Sequence, residues 1–281
     1  MDLTSPAVVR ELIARHGFSF TKSLGQNFIT SRSVLDRMLD ASGIDRNTGV
    51  MEIGPGIGTL TRELSARAAC VAAVEIDRAL LPVLAETLAD CENVRIYHAD
   101  ALKLDLAAFS REALPCRELA VCANLPYYIT TPAVTMLLES KLFSHLTLLL
   151  QREAAERLCA RPGDVGYCAA SALVRFYTEP KLLFRVPADC FIPRPKVASA
   201  VLSLTPVTVD YSPAQEQMFQ AVVRAAFAQR RKTLQNALST AALCNRDEAI
   251  AAIRACGFRD DVRGEMLSAD DFRQLADMLM I

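Results

Sequence analysis

The order of short apolar runs between residues 50 and 151 is the feature that most constrains the fold of this chain. These runs alternate with segments in which apolar residues recur at helical spacing. The predicted strands are Val50–Ile53, Val71–Ile76, Val94–Tyr97, Leu119–Ala123 and Leu146–Gln151. The predicted helices between them include Thr59–Arg67, Arg78–Ala89 and Pro132–Glu139. Since strands joined through helices form right-handed crossovers, the sequence predicts an α/β fold with a mostly parallel, doubly wound sheet.

The pattern changes after the last of these strands. Two further strand-like runs, Leu182–Val186 and Ala198–Leu204, flank a proline-rich segment, and beyond Ser212 only helical periodicity remains. Pro206 and Pro213 lie at the transition between these two parts of the chain. The predicted domains are residues 1–207, which include a helical and loop extension over residues 1–48, and a small all-helical domain over residues 208–281.

Cysteine usage and net charge limit the class of protein. The nine cysteines lie between Cys70 and Cys256 without a Cys-x-x-Cys pair, and the three histidines stand apart from other metal ligands. This pattern is typical of reduced thiols in the cytoplasm and predicts no metal site. The net charge is −1, so a polyanionic partner would have to be bound by local basic clusters. No apolar run approaches the roughly 20 residues of a membrane span, so we expect a soluble, cytoplasmic protein with no membrane partner.

A glycine-rich loop lies where the first predicted strand gives way to a helix. Glu52 is followed by Gly54, Gly56 and Gly58, and glycines at such a turn let the backbone approach a ligand closely. A dinucleotide-binding fingerprint would need its third glycine one position later, where this chain has Thr59. An acid followed by Gly-x-Gly-x-Gly instead resembles the motif of S-adenosylmethionine-dependent methyltransferases, which have a Rossmann-like fold.

Acidic residues also follow the next two predicted strands. Glu75 lies at the end of the second strand, where a carboxylate can accept hydrogen bonds from both hydroxyls of a ribose. Asp100 follows the third strand, where it can accept a hydrogen bond from the amino group of an adenine. Together with the glycine loop, these acids stand in the order of a methyltransferase, which favours that class over a nicotinamide-dependent oxidoreductase.

The run Asn124-Leu125-Pro126-Tyr127 follows the fourth predicted strand. The side-chain oxygen of Asn124 and the carbonyl of Leu125 can accept both hydrogens of an exocyclic amine, while the ring of Tyr127 stacks on the attached heterocycle. An enzyme that holds a flipped-out adenine by its amino group needs such an arrangement. A simple Pro-Tyr turn at the end of a strand is the alternative interpretation.

Three motifs together resemble those of the ribosomal RNA adenine dimethyltransferases, and the resemblance covers nearly the whole chain. They are Gly25-Gln26-Asn27-Phe28, Asn124-Leu125-Pro126-Tyr127 and Phe191-x-Pro193-x-Pro195-x-Val197-x-Ser199. A fourth segment, Ala226-Phe227-x-Gln229-Arg230-Arg231-Lys232-Thr233-Leu234, is similar to the helical domain of the small-subunit type. The resemblance implies that S-adenosylmethionine is the cofactor. It also implies N6,N6-dimethylation of two adjacent adenosines in the 3′-terminal hairpin loop of 16S rRNA, within the immature 30S subunit, by a monomeric enzyme.

The resemblance also assigns roles to individual residues. Those expected to contact the cofactor are Asn27, Ile29, Gly54, Gly56, Glu75, Ile76, Asp100, Ala101 and Asn124. Those expected at the reacting base are Asn124, Leu125, Pro126, Tyr127 and Phe191, with the two aromatic rings on either side of the adenine. A methyl group on a sulfonium is already activated, so we expect the transfer to need neither a metal nor a strong general base.

Local clusters of basic residues are candidates for contacts with RNA phosphates. The candidates are Lys22, Arg194, Lys196, Arg224, Arg230, Arg231 and Lys232. For the cluster near residue 230, a solvated helix face is the alternative. If the cluster does bind phosphates, the affinity for RNA should fall as salt is added.

Two other functions stay open at this point. One is a large-subunit rRNA adenine methyltransferase of the macrolide-resistance type, which shares the core motifs. The segment over residues 229–232 and the length of the helical tail favour the small-subunit type. The other is an assembly factor that acts mainly by binding immature small subunits, with catalysis as a release step.

Overall fold

The computed structural model describes residues 1–21, 24–229 and 231–280, and the chain divides into two compact units. The first unit comprises Met1–Ala155 and Lys181–Pro206, and the second comprises Glu156–Pro180 and Val207–Ile281. Within the described ranges, no helix is both long enough and apolar enough to cross a membrane.

A mostly parallel sheet organises the first unit. The strands are β1 (Phe28–Ile29), β2 (Thr48–Ile53), β3 (Cys70–Glu75), β4 (Val94–His98), β5 (Glu118–Asn124), β6 (His145–Gln151), β7 (Thr178–Val186), β8 (Phe191–Ile192) and β9 (Ser199–Pro206). In the described part of the chain, seven of them form one sheet in the order β4-β3-β2-β5-β6-β9-β7. The neighbours from β4 to β6 are parallel, and β9 runs antiparallel to β6. This topology confirms the predicted Rossmann-like α/β fold.

The central strands are buried along their length. All six residues of β2 are buried, including the polar Thr48 and Glu52, which requires cover on both faces of the sheet. The helices that begin in the first unit are α1 (Pro6–Arg15), α2 (Arg32–Ser42), α3 (Thr59–Arg67), α4 (Leu81–Thr87), α5 (Leu106–Ala113), α6 (Thr130–Ser140) and α7 (Arg152–Leu158), whose last three residues belong to the second unit. In one core cluster, Met38 of α2 and Leu64 of α3 pack with Val50 of β2. Because the sheet is covered in this way, its strands are near-continuous apolar runs that the sequence reveals directly.

The second unit is helical. Its helices are α8 (Ala169–Tyr177), α9 (Pro213–Ala228), α10 (Leu234–Thr240), α11 (Arg246–Ala255) and α12 (Ala269–Met278). Helices α9, α11 and α12 each begin with a capping box, in which Ser212, Asn245 and Ser268 bond reciprocally with the residue three positions later. Helix α10 begins at Leu234, so Arg231 and Lys232 lie in the turn that precedes it.

Residues 156–180 belong to the second unit, in contrast to their predicted place in the domain over residues 1–207. Helix α8 supplies Phe176, whose ring stacks on Phe219 of α9 with centroids 3.8 Å apart. The hydroxyl of Tyr167 donates a hydrogen bond to the carbonyl of Leu267 at 2.8 Å. These contacts join residues that lie far apart in the chain. Local periodicity does not encode such contacts, so it did not predict that residues 156–180 group with the C-terminal helices.

Candidate active site

A cavity of about 850 Å³, including its open mouth, lies at the carboxyl ends of the parallel strands. Ligands of open α/β sheets bind at this edge because the loops after successive strands converge there. The cavity is lined by the loops after β2, β3, β4 and β5, and by residues 24–29. All of the residues predicted to contact a cofactor line it, namely Asn27, Ile29, Gly54, Gly56, Glu75, Ile76, Asp100, Ala101 and Asn124. The structure therefore brings this predicted set together.

The glycine loop forms one wall of the cavity. Gly54 and Gly56 have φ angles of 72° and 61°, in the left-handed region that side chains disfavour. A Cβ atom on Gly56 would lie 2.9 Å from Cδ1 of Phe28, and one on Gly54 would lie 3.1 Å from the ring of Pro126. A Cβ at either position would press on a neighbouring ring, and α3 begins directly after the loop at Thr59.

Glu75 lies at the end of β3 and is 5% exposed. Its carboxylate accepts hydrogen bonds from the backbone N–H groups of Asp77 at 2.8 Å and Gly56 at 3.4 Å. Burial raises the pKa of Glu75 to about 7, and the two N–H groups offset part of that effect. Beside it, the side chain of Ile76 is 42% exposed and gives this wall of the cavity an apolar surface.

Asp100 follows β4 and caps a short 3-10 turn. One carboxylate oxygen accepts a hydrogen bond from the N–H of Leu102 at 3.1 Å, and the other lies 3.3 Å from Nζ of Lys103. Ala101, the next residue, is buried. The turn fixes the carboxylate at the cavity wall with acceptor capacity to spare.

The amide of Asn124 is oriented by the N-terminal segment. Its Nδ2 donates a hydrogen bond to the carbonyl of Asn27 at 2.9 Å, and the Nδ2 of Asn27 in turn donates to the carbonyl of Gly25 at 2.8 Å. This bond assigns the amide orientation of Asn124 and leaves Oδ1 as the atom that can accept from a ligand.

The residues after Asn124 are fixed by the neighbouring strand and by a proline. The N–H of Leu125 donates to the carbonyl of Leu149 on β6 at 3.1 Å, and the side chain of Leu125 is buried. Pro126 restricts Leu125 to an extended conformation, so the Leu125 carbonyl does not enter a helix. Tyr127 is half-buried at the cavity wall, and its hydroxyl lies 2.8 Å from Oγ of Ser199.

Of the residues predicted at the reacting base, Phe191 is the one that the structure does not bring to the cavity. It is 2% exposed and belongs to the core cluster that contains Ile29 and Leu35. Strand β8 pairs with β1, so that Ile29 lies opposite Phe191 and Phe28 lies opposite Ile192. This pairing holds the Phe191 ring among apolar side chains, so of the two predicted stacking rings only that of Tyr127 lines the cavity.

Glu52 and Tyr128 line the cavity, although the sequence motifs assigned no ligand contact to either of them. Glu52 is 1% exposed, and its Oε2 has no hydrogen-bond partner among the described residues. Burial raises the pKa of Glu52 to about 8, and the charge of Glu75 adds to this increase, while the hydroxyl of Thr61 opposes it. Its position just before the glycine motif was the available signal. The other is Tyr128, which is 48% exposed and follows Tyr127 directly.

The predicted RNA-binding residues fall into two groups. Those within the described ranges are exposed to solvent, namely Arg194, Lys196, Arg224, Arg231 and Lys232. Lys22 and Arg230 lie outside the described residues. Exposure leaves the first group available for contact with phosphates, and their role stays a prediction.

The groups around the cavity fit the cofactor that the sequence motifs predict. The close-approaching glycine loop offers backbone N–H groups, Glu75 offers acceptors for hydroxyls, and Ile76 offers an apolar face for a flat ring. The buried carboxyl of Glu52, whose Oε2 has no hydrogen-bond partner among the described residues, matches a ligand that offers a hydrogen-bond donor. S-adenosylmethionine has ribose hydroxyls, an adenine ring, an ammonium group and a sulfonium, so its chemistry corresponds to this set.

Comparisons with known proteins agree with the family that the sequence motifs resemble. A family model described as "Ribosomal RNA adenine dimethylase" matches residues 17–280. The chain is 44% identical to the Ribosomal RNA small subunit methyltransferase A of Geobacillus thermodenitrificans, over 99% of this chain and 97% of that protein. It is 41% identical to the protein of the same description from Alkaliphilus oremlandii, over 99% and 98% of the two chains.

Two solved structures resemble this one over most of its length. A dimethyladenosine transferase from Plasmodium falciparum superposes with a TM-score of 0.73 at 24% identity, over 88% of this chain and 95% of the other. The 23S rRNA methyltransferase ErmE superposes with a TM-score of 0.69 at 26% identity, over 91% and 100%. The first of these likenesses concerns the fold alone.

Proposed function

The chain belongs to the ribosomal RNA adenine dimethylase family, and we propose that it transfers methyl groups from S-adenosylmethionine to adenine N6 in small-subunit ribosomal RNA. The finer proposal is dimethylation of two adjacent adenosines in the 3′-terminal hairpin loop of 16S rRNA. We propose that a cytoplasmic monomer carries it out on the immature 30S subunit. The observation that carries the proposal is the orientation of Asn124, whose Nδ2 bonds to Asn27 and whose Oδ1 is left to accept from an amine.

The cofactor half of the site would be held by residues on the carboxyl ends of β2, β3 and β4. When bound, S-adenosylmethionine supplies a methyl group that is activated by the sulfonium charge. Glu75 would accept hydrogen bonds from the ribose hydroxyls, Asp100 would accept one from the adenine amino group, and Ile76 would pack on the adenine ring. Hydroxyl donors favour the ionised form of Glu75, so binding of the ribose would lower its raised pKa.

The base half of the site would activate the amine through geometry. The lone pair of adenine N6 is delocalised into the ring, which makes the nitrogen a poor nucleophile. Hydrogen bonds from N6 to Oδ1 of Asn124 and to the carbonyl of Leu125 would favour a pyramidal nitrogen and aim its lone pair at the methyl carbon. Positioning and preorganised hydrogen bonds of this kind supply several kcal/mol in enzymes. The nitrogen loses one proton to solvent for each methyl group it gains, which requires no dedicated base.

The rest of the RNA would be held through its phosphates. Arg194 and Lys196 stand exposed on the segment after Phe191, and Arg231 and Lys232 stand exposed in the turn after α9. Cationic side chains in such positions bind the backbone without reading the sequence. The choice of adenosines would therefore depend on the shape of the RNA and on the base pocket.

Small-subunit rRNA is favoured over large-subunit rRNA by the comparisons. The relatives described as small-subunit enzymes are 41–44% identical to this chain, whereas the 23S rRNA methyltransferase ErmE is 26% identical. A contribution to subunit assembly through binding alone is compatible with the same chemistry. A catalytically inactive variant that still binds immature subunits would separate the two roles.

The proposal is tested by methyl transfer to defined RNA. The protein is incubated with labelled S-adenosylmethionine and either unmethylated small subunits or large-subunit RNA, and the modified adenines are mapped. We expect dimethylated adenines in the small-subunit RNA alone. Label confined to the large-subunit RNA, or to a base other than adenine, would contradict the proposal.

A substitution of Asn124 tests the hydrogen-bonding role on which the proposed function rests. Asn124→Ala removes one of the two acceptors for N6 and should lower turnover by about a hundredfold, as removal of a single preorganised hydrogen bond does elsewhere. Binding of small subunits should be preserved. Asn47→Ala is the matched control, because Asn47 is exposed at the opposite end of β2. Near-normal methylation by the Asn124→Ala variant would refute the assignment.

A further inference from the structure

The hydroxyl of Tyr127 has a partner from a distant part of the chain, and we propose that this partner, Ser199, is the positioning residue for the Tyr127 ring. Tyr127 Oη and Ser199 Oγ lie 2.8 Å apart, although the residues are separated by 72 positions in the sequence. The inference rests on the proposed function, because it takes the Tyr127 ring to be the surface on which the target base stacks.

Ser199 is a rigid anchor. It is completely buried at the first position of β9, where it lies opposite Gln151 of β6 in the antiparallel register. Next to this pair, the N–H of Arg152 donates to the carbonyl of Ala198 at 3.0 Å. Backbone hydrogen bonds to β6 and to Arg152 thus fix the position of Ser199, and its short side chain has little freedom of its own.

The anchor belongs to the same sheet as the amine-binding residue. Strand β6 pairs with β5, and Leu149 of β6 lies opposite Asn124. The carbonyl of Leu149 also accepts the N–H of Leu125. Ser199 and Asn124 are therefore connected through two adjacent ladders of backbone hydrogen bonds. A ring tied to Ser199 keeps a fixed distance and angle to the groups that would hold the adenine amine.

The local hydrogen bonds around Tyr127 restrain its backbone. Tyr127 begins a 3-10 turn, in which the N–H of Ile129 donates to Pro126 and the hydroxyl of Thr130 donates to the Tyr127 carbonyl. Among the described residues, the bond to Ser199 is the side-chain hydrogen bond that links Tyr127 to a distant strand. Burial raises the pKa of Tyr127, so the phenol remains a neutral hydrogen-bonding group through the neutral pH range.

Stacking itself does not require this hydroxyl. A phenylalanine ring presents the same flat face to a base, so the hydroxyl of Tyr127 serves another purpose. The second predicted stacking ring, Phe191, is buried in the core and lies outside the set of residues that line the cavity. Phe191 therefore does not hold the base from the opposite face. The position of the base depends on the orientation of the Tyr127 ring.

The test removes the hydrogen bond between Tyr127 and Ser199 by substituting each partner in turn. The variants are Ser199→Ala, Tyr127→Phe and the double variant, assayed as full-length protein for methylation of unmethylated small subunits. Each single variant should lower kcat/KM for the RNA by about tenfold, the value of one hydrogen bond in a partly buried site. The double variant should be no worse than the single variants, since both delete the same interaction. Affinity for S-adenosylmethionine, measured by calorimetry, should not change.

Ser203→Ala is the matched control on the same strand. Ser203 is buried on β9, and its Oγ lies 3.3 Å from Nε2 of His145, away from the cavity-lining residues. This variant should keep wild-type activity. If Ser199 served only the stability of the sheet, Ser199→Ala would lower the melting temperature and the cofactor affinity together, and Tyr127→Phe would do neither.

Three results would overturn the inference. They are wild-type kcat/KM in Ser199→Ala, losses that multiply to about a hundredfold in the double variant, or a parallel loss of cofactor affinity and stability in Ser199→Ala alone. Failure of the proposed function is recognised separately, because wild-type protein would then not methylate adenine in small-subunit RNA at all. Tyr127→Phe keeps the inference testable if Ser199→Ala does not fold.

Discussion

The isosteric substitution Glu52→Gln should change how stability depends on pH. Glu52 is almost fully buried, and burial raises its pKa from the ordinary value of 4.5 to about 8. In the folded protein it therefore keeps its proton up to about pH 8, whereas the unfolded chain releases that proton above about pH 4.5. Since the folded state binds more protons, the free energy of unfolding falls as the pH rises through this window. Glutamine has no proton to release, so its presence removes this contribution.

The size of the effect follows from the difference between the two pKa values. Each pH unit within the window is worth up to about 1.4 kcal/mol for one such group. Between about pH 5 and about pH 7.5, the wild-type protein should lose roughly 3 kcal/mol more unfolding free energy than Glu52→Gln. With a pKa of Glu52 one unit lower in the folded protein, the difference would be about 2 kcal/mol. Glu75 also has a raised pKa, but it titrates in both proteins and cancels in the comparison.

Urea unfolding followed by far-ultraviolet circular dichroism at the two pH values measures this difference. The buried glutamine has its own cost, which is the same at both pH values and does not affect the change with pH. Glu112→Gln is the control, because Glu112 is an exposed carboxyl on α5. Parallel pH profiles for wild type and Glu52→Gln, or an equal flattening in Glu112→Gln, would refute the reasoning.

Two further predictions concern ligand binding. Gly56→Ala places a Cβ 2.9 Å from Phe28 at a φ of 61°, so it should weaken S-adenosylmethionine binding by about tenfold or more in calorimetry. Gly166→Ala, whose added Cβ has its nearest neighbours at 3.9 Å, should bind like the wild type, and unchanged affinity in Gly56→Ala would contradict the described wall. Arg231→Gln combined with Lys232→Gln should weaken RNA binding and lower the slope of log affinity against log salt by about 1 for each phosphate that is no longer neutralised. An unchanged slope would exclude these side chains from the RNA interface.

Much of the fold and the cofactor cavity could be predicted from local sequence. Strands covered on both faces are apolar runs, so β2 and β5 stand out from the sequence without any knowledge of their neighbours. Gly54 and Gly56 occupy positions of positive φ that select glycine, and their spacing is visible in the sequence. Because the carboxyl ends of parallel strands converge, residues placed after successive strands also converge in space.

The remaining features depend on contacts between distant segments. The grouping of α8 with the C-terminal helices follows from the stacking of Phe176 on Phe219, which no local period encodes. The burial of Phe191 follows from the pairing of β8 with β1. The orientation of Asn124 depends on a backbone carbonyl at Asn27, and a backbone acceptor is the same atom in every residue type. Such features cannot be recognised from the residue types of a local segment.

The position of β9 in the sheet has a consequence for how the enzyme is made. Strand β9 lies between β6 and β7, so β7 meets its sheet neighbour only after the chain has been synthesised past residue 206. In the same way, β1 receives its partner only when β8 has emerged. A nascent chain that ends before β8 holds the glycine loop and Asn124 but lacks both the β1–β8 ribbon and Ser199. Completion of the cavity therefore waits until the chain has been synthesised through β9, although the glycine loop and Asn124 are made much earlier.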